Sequence, residues 1–395
     1  MDTFTNLPIS RRVGSISTSA TKEMAILAAK IGGCVSLGQG VPSFATPPHI
    51  IDAVTTVLQN DPNSGKYSLQ TGMLSLRERI AYYLLSEKNI TVDPENEICV
   101  TVGGMEALLA TVMTVVDEGD EVILPTPTYA SYIEQVLLAG GTPVQVPLKK
   151  DWDLDLGAIQ QAIGPKTRAI MLCNPGNPTG TVFSDTDTAS LCRLAVEHNF
   201  VVITDEAYDY MVYDGEMPFS PLSMPEFRNN VISVYSLSKK YALTGWRIGW
   251  VAAAKRWMEQ IMKVHDATAI CSPTPSQFAA LAALEGDQQC VTAMREKLVE
   301  RKKRCFERLD RLHKYFSYVE PKGAFYVMAK YLFSDENSQL VAIRLLEEAK
   351  VITIPGGSFG RGGEGHLRIS FGGELETIDE AFDRIETWLG QTSQQ

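Results

Sequence analysis

The 395-residue sequence holds only five histidines, at positions 49, 198, 265, 313 and 366, and their spacing fits neither a metal site nor a nucleophile–base–acid triad. Its seven cysteines are scattered singly without a Cys-x-x-Cys, which excludes a disulfide framework and points to a reducing, cytoplasmic setting. Positive charge is scarce: 36 Lys plus Arg against 47 Asp plus Glu leave a net charge of −11, which argues against nucleic acid or an anionic membrane as partner. The stretch 297–314 is locally basic, but its interspersed acids make it read as a solvated helix face. No apolar run approaches the roughly 18–20 residues of a membrane span, and the N-terminal stretch lacks an apolar signal core. With 45% apolar and 21% charged residues, the composition is that of an ordinary soluble globular protein. The chain is too long for one simple core, so a large domain with a smaller one is expected.

What is present is a succession of short apolar runs alternating with helical segments. The runs 98–102, 121–124, 143–146, 168–174, 200–204, 231–235 and 248–253 read as strands covered on both faces. They predict an α/β fold with a mostly parallel seven-stranded sheet between helices. The expected layout is an N-terminal arm over 1–45, a large domain over 46–286, and a small α+β domain over 287–395 completed by the arm. A long helix over 287–316 would link the two domains. Beyond it the small domain is predicted to hold strands over 324–328, 351–354 and 366–371, with helices over 338–350 and 378–389. Ligands on such sheets sit outside the carboxyl ends of the strands, and the candidate chemistry collects there.

The run 231–235 ends in Ser236-x-Ser238-Lys239-Lys240, followed by Gly245-x-Arg247-x-Gly249. A desolvated lysine amine loses proton affinity and becomes a nucleophile. Hydroxyls and an arginine beside it suit a phosphate. An amine beside a phosphate pocket is what pyridoxal 5'-phosphate requires. Gly103-Gly104 joins a strand to a helix, where bare amides bind phosphate well. Other strand ends carry Tyr129, the loop Asn174-Pro175-Gly176-Asn177-Pro178-Thr179-Gly180, and Asp205-Glu206-Ala207-Tyr208. Each alone also has a plainer reading: core packing for Tyr129, a rigid turn for the Asn-Pro loop, and a solvated turn for the two acids. The formal Gly-x-Gly-x-x-Gly at 360–365 precedes a strand, so it is not a dinucleotide site.

Taken together and in this order, these motifs resemble the class I/II aminotransferases, the fold type I pyridoxal-phosphate enzymes of the aspartate aminotransferase superfamily. The resemblance runs from about Ser36 to Phe371. It implies that Lys239, rather than Lys240, holds the cofactor aldehyde and then shuttles the substrate proton. It implies that Asp205 keeps the ring nitrogen protonated, that Asn177 and Tyr208 bond the phenolic oxygen, and that Tyr129 stacks on the ring. Gly103, Gly104, Met105, Ser236, Ser238 and Arg247 would complete the cofactor site, with Tyr67 reaching the phosphate of a neighbouring subunit. Gly40 would face the substrate, beside Asn177, and Arg368 would clamp its α-carboxylate. The reaction implied is ping-pong transfer of an amino group from an L-amino acid to a 2-oxo acid, by family analogy 2-oxoglutarate, in a homodimer with shared sites and no metal.

Some aspartate-preferring members carry lysine directly after the glycine pair, where this sequence has Met105. An apolar, polarizable side chain there favours neutral or aromatic donors. An aspartate aminotransferase and a carbon–sulfur lyase on the same fold are the alternatives. A ligand-sensing regulator would need a DNA-binding module, for which the arm over 1–45 is expected to be too short.

Overall fold

The computed structural model describes residues 8–213, 215 and 217–392. Residues 1–7, 214, 216 and 393–395, which include the outer ends of the expected arm and C-terminal domain, lie outside the described residues. The first strand, β1 (Val35–Ser36), is followed by β2 (Ile98–Thr101), β3 (Glu121–Thr126), β4 (Thr142–Pro147), β5 (Thr167–Cys173), β6 (Val201–Asp205), β7 (Val231–Ser236) and β8 (Gly249–Ala253). The last seven of these form one sheet in the order β2-β8-β7-β6-β5-β3-β4. Strands β3 to β7 run parallel, and β8 is antiparallel to both its neighbours. The sheet predicted from the sequence is therefore present, with strand ends shifted by no more than a few residues.

Both faces of the inner strands are buried, which is why those strands are mostly apolar. Side chains alternate across a strand. Val201, Ile203, Ile232 and Val234 pack on one face with Ala107 and Leu108 of the helix Gly103–Val115. Val202, Val231, Ile170 and Leu172 pack on the other with Leu76, Ile80 and Leu84. Each fully buried aliphatic side chain contributes about 1.5–3 kcal/mol. The same alternation decides where the strand-end residues point. Asp205 continues the face of Val201 and Ile203, whereas Glu206 continues the face of Val202 and Thr204.

A second sheet, β12-β13-β10-β9, is built from β9 (Phe316–Tyr318), β10 (Tyr326–Tyr331), β12 (Ile354–Pro355) and β13 (His366–Ser370). Strand β11 (Val351–Ile352) pairs in parallel with β1, so the N-terminal segment is stitched to the C-terminal part of the chain. Three expectations are corrected here. The helix predicted over 287–316 is Gln289–Arg311, and Phe316 instead begins β9. The strand predicted over 351–354 is broken at Thr353, because its two halves serve different sheets. The basic face of Gln289–Arg311 is not simply solvated. Arg301 and Arg308 are buried and ion-paired to Glu374, Asp379, Asp383 and Glu386 around the C-terminal helix Leu375–Thr392. Among the described residues, no helix is long and apolar enough to cross a membrane.

Candidate active site

A cleft of about 340 Å³ opens beside the carboxyl ends of the parallel strands. It brings together Gly40, Gly104, Met105, Tyr129, Asn177, Asp205, Tyr208, Ser236, Ser238, Lys239, Arg247 and Arg368, residues drawn from across the whole chain. Gly103 adjoins this group through Arg247. Tyr67 does not line the cleft; its side chain is 78% exposed on the loop before the helix Leu74–Lys88.

Lys239 stands in the short helix Leu237–Lys240, capped by the Ser236 hydroxyl, which accepts from the Ser238 amide at 3.2 Å. Its Nζ donates to the Gly40 carbonyl at 2.6 Å. Burial, then the nearby Arg247 and Arg368, lower its proton affinity to about 8 from an ordinary 10.5. This amine is therefore much closer to its nucleophilic form at neutral pH than a surface lysine. Lys240 turns to the other side. Its Nζ donates to the Tyr83 hydroxyl at 3.0 Å and sits 4.6 Å from that ring's centroid.

Asp205 is buried at the end of β6 without an ion-pair partner among the described residues. One carboxylate oxygen accepts from the Tyr132 hydroxyl at 2.7 Å and the other from the Ala207 amide at 3.1 Å. Burial pushes its proton affinity up, and those two hydrogen bonds oppose the shift. A cation placed against this carboxylate would be strongly favoured. Tyr208 shares a 2.8 Å hydrogen bond with the Tyr326 hydroxyl. Gly40 lies against the same group, and a Cβ there would come within 2.6 Å of the Tyr326 oxygen.

Arg368 is buried in β13 over the rings of Tyr326 and Phe359, at 4.8 and 5.0 Å from their centroids. It donates to the Asn177 side-chain oxygen at 3.1 Å and to the Gly38 carbonyl at 2.6 Å, while its Nε has no partner among the described residues. A buried guanidinium with an unused donor suits a carboxylate. At the opposite side Arg247 adopts φ = 53°, a conformation rarely adopted by residues with a Cβ. Its guanidinium passes so close to Gly103 that a Cβ there would meet it at 2.6 Å. Glu106 accepts from the Val102 amide and pairs with His265 Nδ1, each at 3.1 Å, bracing the start of this helix. The glycine pair, two serines and an arginine around a helix N-terminus fit a phosphate. With the buried amine and the buried carboxylate, this donor set fits pyridoxal phosphate.

Tyr132, Tyr326 and Phe359 escaped the sequence reading. Tyr132 lies three residues after Tyr129, and that spacing on a helix start was the one available signal. Tyr326 and Phe359 look like ordinary core aromatics until the small sheet is docked.

A family model described as "Aminotransferase class I and II" matches residues 33–385. The chain is 35% identical to aromatic-amino-acid aminotransferase 2 of Thermococcus litoralis over 387 residues, 97% of this chain and 98% of that one. It is also 35% identical to the aspartate aminotransferase of Pyrococcus abyssi, with the same coverage. The crystal structure of the aromatic aminotransferase from Pyrococcus horikoshii OT3 superposes with a TM-score of 0.88 at 34% identity, covering 94% of this chain and 99% of that one.

Proposed function

For this chain, which belongs to the class I and II aminotransferases, we propose that Lys239, Asp205 and Arg368 carry the reaction. The protein is a pyridoxal-phosphate-dependent transaminase acting on amino acids and 2-oxo acids. When bound, the cofactor supplies an aldehyde that captures the amino group and a ring that accepts electron density. The observation that carries the assignment is the placement of Lys239 Nζ, 2.6 Å from the Gly40 carbonyl in the cleft shared with Asp205 and Arg368, while Lys240 faces away.

Lys239 would hold the aldehyde, and its amine would carry the proton at the substrate Cα. Asp205 would hold a proton on the ring nitrogen, its carboxylate oriented by the Tyr132 hydroxyl. Tyr208 and Asn177 would hold the phenolic oxygen, and Tyr129 would cover the ring. Ser236, Ser238, Arg247 and the amides of Gly103, Gly104 and Met105 would hold the phosphate. Arg368 clamps the substrate carboxylate with its free Nε and so fixes the Cα near Lys239. The division into an arm over 1–45, a large domain over 46–286 and a small domain over 287–395 belongs to the same reading. The β1–β11 pairing supports it.

Neutral or aromatic donors are favoured, with 2-oxoglutarate as acceptor. The apolar Met105 at the cleft supports this. A second reading, aspartate as donor, is supported by Lys22, which lines the same cleft. Relatives are named for each activity. A spectroscopic screen of single half-reactions over amino acids separates the two. Aromatic or neutral donors are expected to react fastest and yield a 2-oxo acid. Aspartate faster than all of them by more than about tenfold, a preference of roughly 1.4 kcal/mol, would favour the second reading. Elimination products in place of the 2-oxo acid would point to a lyase.

The assembly we propose is a homodimer with shared sites. Its support is the loop bearing Tyr67, which is held firmly yet presents that ring outward. Thr274 donates to the Lys66 carbonyl at 2.6 Å, and Gln277 donates to the Ser68 hydroxyl and accepts from the Met73 amide, both at 2.7 Å. Mixing inactive Tyr67 and Lys239 variants is expected to regenerate activity, because one hybrid site is intact. No recovery despite demonstrated subunit exchange would place Tyr67 outside the partner's site.

A further inference from the structure

On the sheet face opposite the cleft lies a second cluster of charged groups that the reaction does not use. Lys88, the last residue of the helix Leu74–Lys88, reaches under the end of β6 with a side chain only 3% exposed. Its ammonium pairs with Glu206 at 3.1 Å and with Asp209 at 2.8 Å. The Asp209 amide also bonds the Glu206 carbonyl at 3.2 Å, so Lys88 ties together the two ends of one tight turn. That turn carries Tyr208 and directly follows Asp205.

The cluster extends in both directions. Glu206 accepts from the hydroxyls of Ser220 at 2.7 Å, Thr204 at 3.1 Å and Tyr235 at 3.3 Å, so its carboxylate is fully engaged. Asp209 accepts from the Tyr83 hydroxyl at 3.4 Å, and that hydroxyl in turn accepts from Lys240 at 3.0 Å. The residues next in sequence to Asp205 and to Lys239 thus share one buried network. Burial works against the charge of Lys88, but Asp209 and Glu206 outweigh it and hold the ammonium protonated.

Buried ion pairs of this kind are a poor means of stabilising a fold, since apolar side chains of equal volume often do as well. Their directional hydrogen bonds do specify one geometry. We propose that Lys88 is a positioning residue: by clamping Glu206 to Asp209, and through Tyr83 to Lys240, it fixes Asp205 and Lys239 relative to each other from behind the sheet. This rests on the roles given above to Asp205 and Lys239.

The test is Lys88→Met as holoenzyme, compared with wild type for folding midpoint, circular dichroism in the cofactor's visible band, and half-reaction rate with donors carrying hydrogen or deuterium at Cα. A misplaced proton-transfer group slows its own step, and a 1 Å error costs up to about 100-fold. The expected result, per folded and cofactor-loaded molecule, is a half-reaction slower by about 10- to 100-fold, a larger isotope effect and an altered visible dichroism. A merely structural role would lower the folding midpoint and leave the isotope effect and dichroism unchanged, and that result overturns the proposal. If Lys88→Met does not fold, Tyr83→Phe removes the link to Lys240 without stranding a carboxylate. It is expected to slow the half-reaction about threefold or more with the same rise in isotope effect, and no change in either overturns the proposal. Borohydride mapping of the wild type in the same series separates failure of the clamp from failure of the Lys239 assignment.

Discussion

Replacing Asp205 with alanine is expected to leave a folded protein that still binds cofactor but runs its half-reaction about a thousandfold more slowly, a loss of roughly 4 kcal/mol in transition-state stabilisation. The reason lies in the surroundings of the carboxylate. It is buried, bonded by Tyr132 at 2.7 Å and the Ala207 amide at 3.1 Å, and has no cationic partner of its own among the described residues. On the proposed assignment, a protonated ring nitrogen held against it would restore charge balance and make the ring a better electron acceptor. The phosphate-binding groups are on other elements, so the cofactor should remain bound. Absorbance stopped-flow on the loaded variant, with cofactor content measured separately, gives the rate. Turnover within about tenfold of wild type would mean that another acid serves the ring.

The second large effect is expected at Lys239. On the proposed assignment, Lys239→Ala removes both the covalent anchor and the proton carrier, and general acid–base catalysis alone is worth about two to four orders of magnitude. The half-reaction should fall by about 10⁴-fold, and small exogenous amines should recover part of it. Lys240 offers no substitute, because its ammonium rests against Tyr83 on the opposite face. Single-turnover rates with and without added methylamine measure both points. Substantial activity in Lys239→Ala without added amine would contradict the assignment.

The large sheet was legible because most of its strands are predominantly apolar runs, a signal that needs no tertiary information. The gathering of strand-end residues in one cleft was legible for a related reason. Ser236 to Arg247 and Asn174 to Gly180 are contiguous in sequence, and a short stretch placed at a strand end acts as a unit. What escaped depends on pairings between distant segments. Tyr132 reaches Asp205 across 73 residues, and Tyr208 meets Tyr326 across 118. The helix Leu74–Lys88 had a readable apolar spacing in Leu76, Ile80, Tyr83 and Leu84, yet nothing in it announced that Lys88 would be buried against two acids. The basic stretch around Arg308 looked solvated because its carboxylate partners lie more than seventy residues further on, in the C-terminal helix. The split at Thr353 became visible only when its two flanking pairs were seen to serve different sheets.

The most direct measurement is to reduce the cofactor-loaded protein with borohydride, digest it, and locate the added mass by tandem mass spectrometry at single-residue resolution. Adjacent lysines with opposite orientations make the outcome unambiguous. The cofactor mass is expected on Lys239, whose amine sits in the cleft with proton affinity lowered to about 8. A mark on Lys240, or a cofactor that binds fully yet leaves no lysine modified, would contradict the account.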